Sequence, residues 1–429
     1  MTRPKVTGKN GVVAAGHHLA AAAGVKMFAK GGNAVDAGVA AGFALTVLKP
    51  CENSMGGECP ILIYSPREKK VFAISGQGTA PKKATVEWFL NNTVDLIPGD
   101  GYLGAMVPGL FGSYCTALQK FGTLSLGDVL GPAVELAEGY PVYGYLCEMI
   151  DEHSKRFGEE WPSTASVFMP GGKVPEAGQV LRQPALANTF RRLIKAEAEH
   201  ANEGRECAIE SAIEYYYKGE IADDILEFSH SFPVKDATGN YHTSLLEKED
   251  FNNYKTRIEE PISAQYRNCT VYKCGPWTQG PVFLQQLKLL EGFDLKGMKH
   301  NSAEYLHAII ECSKLAFADR EKYYGDPLFS EIPLDKLLSE EYNKDRRKGV
   351  NPKKANNSVM WDPQEPLDDG SFDGDTTHLD VIDDEGFMIS AMPSGAWIHS
   401  SPVIPKLGFP IGTRGQMFSL KPEIGRAHV

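Results

Sequence analysis

The chain reads as α/β, one layered domain in which helices cover paired strands. Three observations predict this. Alanine-rich, helix-forming stretches stand early, at residues 18–30 and 35–48. Apolar runs separated by turn residues recur near both ends, at 60–64 with 71–75 and at 379–382 with 387–392. No linker, internal repeat or low-complexity tract interrupts the 429 residues between them.

Each element has a local reason. Gly31-Gly32 closes the first helix and Asn33 caps the second. Ser65-Pro66-Arg67-Glu68 turns the first strand pair, and Asp383-Asp384-Glu385-Gly386 turns the last. Residues 109–121 and 126–138 are amphipathic and helical, and 195–224 are charged and helix-forming. A strand at 270–274 runs into Gly275-Pro276-Trp277-Thr278-Gln279-Gly280, and 281–290 is helical. Asn301 with Glu304 forms a capping-box-like start to a helix that sets Tyr305, Ile309, Cys312 and Ala316 on one face. That helix ends before Gly325-Asp326-Pro327.

Hydrophobic residues make up 42% of the chain and charged residues 23%, so a sizeable core is expected. The formal net charge of −11 argues against nucleic acid or an anionic membrane as the main partner. Eight cysteines without a CxxC or a His-Cys metal spacing predict reduced, partly buried thiols rather than a disulfide framework. No signal peptide is visible, and the most apolar early run, 37–48, is too short and too rich in Ala and Gly to span a bilayer. A cytoplasmic protein is expected.

The nucleophile elbow G-x-S-x-G, the Walker A loop and H-E-x-x-H are absent. Asp369, Ser371, Asp373, Gly374 and Asp380 match a calcium-loop spacing. That pattern wants a final Glu and flanking helices, whereas a strand follows here, so a solvated acidic loop is the better reading. Asp375-Thr376-Thr377-His378 carries more chemistry. It follows the loop Asp368-Asp369-Gly370-Ser371-Phe372-Asp373-Gly374 and opens a strand. A threonine hydroxyl is a poor nucleophile without a neighbouring base, and a free α-amine on the same residue is such a base. That amine titrates near pH ~7.7–8, suited to proton transfer at neutral pH. The chemistry requires the Asp375–Thr376 bond to be cut.

Several segments recur in order: His17-His18-Leu19-Ala20, Gly31-Gly32-Asn33-Ala34-Val35-Asp36-Ala37, Ser54-Met55-Gly56-Gly57-Glu58, Thr79-Ala80-Pro81, Val107-Pro108-Gly109, Leu315-Ala316-Phe317-Ala318-Asp319-Arg320 and Thr376-Thr377-His378. Together they resemble the γ-glutamyltransferase family of N-terminal-nucleophile hydrolases, over nearly the whole chain. The resemblance implies a four-layer αββα sandwich. It implies a precursor that cuts itself between Asp375 and Thr376, leaving a large segment (1–375) and the start of a small one (376–422) that stay together as a heterodimer. Thr376 is then the nucleophile, Thr377 helps hold it, and Ser394 stands where the family has a threonine bonded to the nucleophile. No metal or organic cofactor is implied.

The departures bear on substrate. Gln77 stands where family enzymes hold an α-carboxylate with arginine, and an amide supplies neither charge nor a guanidinium fork. Ala396 replaces an asparagine, and Met417 stands where an aspartate binds the α-ammonium. Each charge-assisted contact is worth ~1.5–3 kcal/mol, so γ-glutamyl recognition is expected to be altered. Arg414 is a candidate for holding an anionic group from another direction. Family small subunits continue past this region and supply a Gly-Gly whose amides form the oxyanion hole; no such segment follows Leu420, and residues 423–429 read as a non-native tail. The sequence thus predicts a self-processing threonine amide hydrolase or acyltransferase acting on a small-molecule amide. An acylase on non-γ-glutamyl amides and a non-catalytic binding paralogue stand as alternatives.

Overall fold

The computed structural model describes residues 5–356 and 375–420. The acidic loop with its calcium-like spacing and the tail from 421 onward lie outside the described residues. The chain forms two compact units, Met1–Ile258 with Phe372–Gln416 and Glu259–Ser371 with Met417–Val429. That division differs from the single domain expected, because the 259–356 stretch builds a small core of its own.

The first unit is organised by a six-stranded sheet. Its strands are β1 (Gly11–Ala15), β2 (Ile61–Ser65), β3 (Lys70–Ser75), β4 (Arg257–Glu259), β5 (Leu379–Asp383) and β6 (Met388–Ala391). Their order across the sheet is β1-β5-β6-β2-β3-β4, so the strand that follows Thr376 lies at the heart of the sheet between two strands from early in the chain. The register is antiparallel and unbroken from Val12 to Ile382, Met388, Tyr64 and Val71. Alternation along each strand sends Ile61, Ile63, Leu379, Val381, Ile389 and Ala391 into the core. The opposite face presents Val12, Leu62, Tyr64, Ile382 and Met388 around an open groove of about 420 Å³.

Two helices lie on the core face, α1 (His18–Ala29) and α2 (Ala34–Leu48). Every residue of α2 is buried. Its sequence is apolar on all sides, as a helix wedged between a sheet and outer helices must be. Gly38 lets α2 approach the sheet, since a Cβ there would stand 2.6 Å from Ile389. Asn33 caps α2 as expected, its Oδ1 accepting from the amides of Val35 (2.9 Å) and Asp36 (3.2 Å). Asp383, at the end of β5, accepts from the Ala34 amide (2.8 Å), which ties the hairpin of β5 and β6 to the start of α2. Helices Leu110–Phe121, Leu126–Glu138 and Pro184–Glu199 enclose the same apolar cluster.

The second unit contains the hairpin Ile262–Tyr266 with Cys269–Lys273 and helices Gly280–Leu290, Ala303–Tyr323, Leu334–Leu337 and Glu340–Arg347. Val282, Leu289, Cys312, Leu315 and Leu337 form its core. Two expectations need correcting here. The long helix is capped by Ser302, whose Oγ accepts from the Tyr305 amide, while Asn301 sits one residue earlier with φ of 57°. Its buried stripe runs through Ala308, Cys312, Leu315, Ala316 and Asp319, with Tyr305 and Ile309 only half-buried. All eight cysteines are free and five are buried, as their spacing suggested. Among the described residues, no helix is long and apolar enough to cross a membrane.

Candidate active site

Thr376 lies just ahead of β5, where three chain segments run side by side. It bridges Ser394, and Ser394 bridges Glu58 on its other flank. Antiparallel partners present their side chains on the same face, so Thr376, Ser394 and Glu58 form one row. The Thr377 amide donates to the Pro393 carbonyl (3.2 Å), and Glu58 and Ser394 exchange backbone bonds of 2.9 Å each. Thr376 is exposed, whereas Thr377 and Ser394 are buried.

The Thr376 hydroxyl is 2.9 Å from Ser394 Oγ. Ser394 Oγ also donates to the Asp375 carbonyl (3.2 Å) and accepts from Arg414 Nη2 (2.8 Å). A hydroxyl has one proton, and a guanidinium can only donate. With the serine proton directed at Asp375, the bond between the two hydroxyls is donated by Thr376. The Asp375 carbonyl receives a second bond from Trp397 Nε1 (2.7 Å). The Thr376 amide donates to the Asp375 carboxylate (2.7 Å). The peptide bond between Asp375 and Thr376 is therefore held from both ends.

Behind this row stands an ion pair. Arg414 Nε donates to Glu58 Oε1 (2.6 Å), with side-chain exposures of 21% and 6%, and its guanidinium lies 5.0 Å over the Trp397 ring. The turn that delivers Trp397 is unusual. Gly395 and Ala396 both have positive φ, 78° and 50°, and Ala396 is fully buried. A left-handed alanine is strained and persists only where its surroundings dictate it. Here the Ala396 carbonyl accepts from Ser54 Oγ (2.8 Å).

On the other side, Thr377 bonds Glu52, which pairs with Lys49. Burial raises the Glu52 carboxyl above the ordinary range, against the opposing pull of Lys49. Gly16 allows this packing, because a Cβ there would fall 2.0 Å from Thr377 Oγ1. Lys49, Glu52, Gly16, Asp375, Thr376 and His378 line an open pocket of about 380 Å³. His378 turns away to an exposed pairing with Asp380 (3.0 Å).

The structure thus gathers Asp375, Thr376, Thr377, Ser394 and Arg414 into one network. Gln77 is half-buried at the end of β3, and its carbonyl accepts from the Tyr254 hydroxyl (3.1 Å). Among the described residues, the hydrogen bonds around Thr376 run through Ser394, Arg414 and Glu58. Sequence reading did not single out Glu52, Lys49 or Trp397, and it quoted Glu58 without a role. A charged pair inside the apolar run Leu48-Lys49-Pro50-Cys51-Glu52 was the signal available for two of them.

A profile of the gamma-glutamyltranspeptidase family matches residues 20–427. The Glutathione hydrolase proenzyme of Bacillus subtilis is 32% identical over 403 residues, covering 89% of this chain and 64% of that protein. The Acylase ACY 1 proenzyme of a Pseudomonas strain is 31% identical over 435 residues, 98% of this chain and 71% of that protein. Among solved structures, the cephalosporin acylase from Bacillus halodurans superposes with a TM-score of 0.80 at 30% identity, covering 99% of this chain and 74% of that one. The chain spans 63% and 64% of the length of the glutathione hydrolase proenzymes of Pseudomonas sp. and Bacillus subtilis. The structural likeness makes the fold that of the N-terminal-nucleophile hydrolases, an α/β sandwich to which the described residues contribute the six-stranded sheet and its helices. The ordered motifs, the profile and the fold agree: this chain belongs to the gamma-glutamyltranspeptidase family.

Proposed function

We propose that the chain is the precursor of an N-terminal-threonine amide hydrolase that cuts itself between Asp375 and Thr376. The observation that carries this reading is the Thr376 hydroxyl bonded to Ser394, beside an Asp375 carbonyl that accepts two further hydrogen bonds. Thr376 Oγ attacks that carbonyl, the acyl group moves from nitrogen to oxygen, and water hydrolyses the ester. The released amine of Thr376 then serves its own hydroxyl as general base against an amide substrate. Acyl transfer to water or to an amine completes the turnover, and the two segments remain associated as a heterodimer. Thr377 holds the nucleophile through its bond to Glu52.

A specific observation favours acylase-like specificity over γ-glutamyl hydrolysis. Arg414 is bound to Glu58 and Ser394, so its charge is already matched by a buried carboxylate. Gln77 offers no charge for an α-carboxylate, and Ala396 offers no side-chain hydrogen bond. Loss of such contacts weakens γ-glutamyl recognition more than recognition of a plain acyl chain. The relatives named glutathione hydrolase and acylase bracket these two specificities.

The test compares γ-glutamyl-p-nitroanilide with glutaryl-p-nitroanilide, which lacks the α-amine, on the processed protein. The expected result is a kcat/KM for the glutaryl compound at least equal to that for the γ-glutamyl one. Both activities should vanish in Thr376→Ala. Amide hydrolysis that survives Thr376→Ala refutes the mechanism, and a strong preference for the γ-glutamyl compound refutes the specificity.

A further inference from the structure

We propose that Trp397 is a catalytic residue of the self-cleavage step, its indole N–H stabilising the negative charge that builds on the Asp375 carbonyl oxygen. The inference rests on the self-processing reading above and adds a group to it. Trp397 Nε1 lies 2.7 Å from the Asp375 oxygen and 3.0 Å from the Glu52 carbonyl. An indole carries a single proton and no acceptor, so that proton is shared between two carbonyls. Trp397 is 2% exposed, and a buried indole needs one acceptor, which Glu52 supplies. The second and shorter bond, to the scissile carbonyl, is more than packing requires.

Two acceptors suit a transient task. As Thr376 Oγ bonds to the Asp375 carbon, the carbonyl π pair moves onto oxygen, and the shared proton shifts toward the growing charge. Collapse of the tetrahedral species re-forms the carbonyl and breaks the carbon–nitrogen bond. The proton lost from Thr376 Oγ ends on the Thr376 nitrogen. Water then hydrolyses the ester, leaving the Asp375 carboxylate, the Thr376 hydroxyl and a free amine. Once Asp375 departs, the Trp397 N–H still donates to the Glu52 backbone carbonyl and is not left unsatisfied. Ser394 Oγ supplies the second donor to the same oxygen.

The ring is also fixed in place before the reaction, which is what makes such a donor effective. The Arg414 guanidinium covers its face at 5.0 Å, and His399 stacks on it with centroids 6.2 Å apart and planes at 22°. The left-handed Gly395 and Ala396 set the direction from which it enters.

The experiment is the first-order rate of appearance of the fragment beginning at Thr376, followed by intact mass in the full-length precursor. Three proteins are compared: wild type, Trp397→Phe, and a precursor with the benzothiophene analogue of tryptophan at position 397. The analogue keeps the bicyclic shape and removes only the N–H, so it decides the matter should Trp397→Phe fold poorly. Losing one oxyanion donor should slow cleavage by ~10²–10³-fold. Cleavage of the analogue within about threefold of wild type overturns the role of Trp397. In that case, wild-type cleavage before Thr376 still leaves the proposed function standing. A wild-type chain that stays whole, or breaks elsewhere, overturns both.

Discussion

Removing Arg414 tests whether the ion pair behind Thr376 supports the fold. Glu58 has only 6% of its side chain exposed, and Arg414 is its cation. Taking away one member of a buried pair leaves a charge without compensation, at a cost of ~3–5 kcal/mol. Unfolding entropy of about 2.1 cal/mol/K per residue over 429 residues gives about 0.9 kcal/mol/K. Arg414→Met should therefore lower Tm by about 3–6 °C, measured by calorimetry in a Thr376→Ala background so that processing does not intervene. Adding Glu58→Gln removes the stranded charge and should restore about half of the loss or more. In the cleavable background Arg414→Met should also slow self-cleavage, because Ser394 loses the donor that orients its hydroxyl. A Tm change under about 1 °C, or a double variant that loses as much as the sum of the singles, refutes the argument.

Three other outcomes are expected. Gly16→Ala drives a Cβ into Thr377 Oγ1, so the Thr376–Thr377 backbone must shift; self-cleavage should fall by about tenfold or more while stability drops by only ~1–3 kcal/mol, read by intact mass and by urea unfolding. Asp36 is fully buried and accepts from the amides of Asn33, Thr123 and Leu124 and the Thr123 hydroxyl. Asp36→Ala strands those donors and should cost about 3–6 kcal/mol, at ~1–3 kcal/mol for each donor that finds no water. His17 accepts from the Leu19 amide at the start of α1, and burial, with His18 and Lys49 adding, pushes its imidazole down to about 4. The unfolded chain takes up that proton near pH ~6.5 while the folded chain refuses it, so this contribution is complete above ~6.5 and is lost as pH falls toward about 4. His17→Gln should flatten the decline in the urea midpoint between pH 7 and 5; an unchanged slope would contradict the assignment.

What the sequence disclosed follows how local each signal is. The two early helices, their caps and both hairpins were legible because a turn, a cap and an alternation lie within a few residues of each other. Strand β1 was not legible: Gly-Val-Val-Ala-Ala suits a strand or a helix, and its partner β5 comes from the far end of the chain. The long helix of the second unit was misread by one residue because Asn301 and Ser302 are both good caps, and only the fold decides which amide each faces. At the site, Thr376 was legible from its place where a loop meets a strand, and Thr377 and Ser394 only through the family resemblance; the hairpin of β5 and β6 is what brings Thr376 and Ser394 together. Glu58, Glu52 and Trp397 were not legible, because their roles arise only when residues 52–58 align with 394–397. Arg414 was legible as a charge near the site, but its partner came from the other end of the chain.

Intact-mass spectrometry on full-length wild type, Thr376→Ser and Thr376→Ala, incubated at neutral pH, tests the nucleophile most directly. Wild type and Thr376→Ser should each separate into two species, the smaller beginning at residue 376 and the larger ending at Asp375 with a free carboxylate, while Thr376→Ala stays whole. Cleavage of Thr376→Ala at the same bond, or a wild-type chain that remains intact, would contradict the assignment of Thr376 as the self-activating nucleophile.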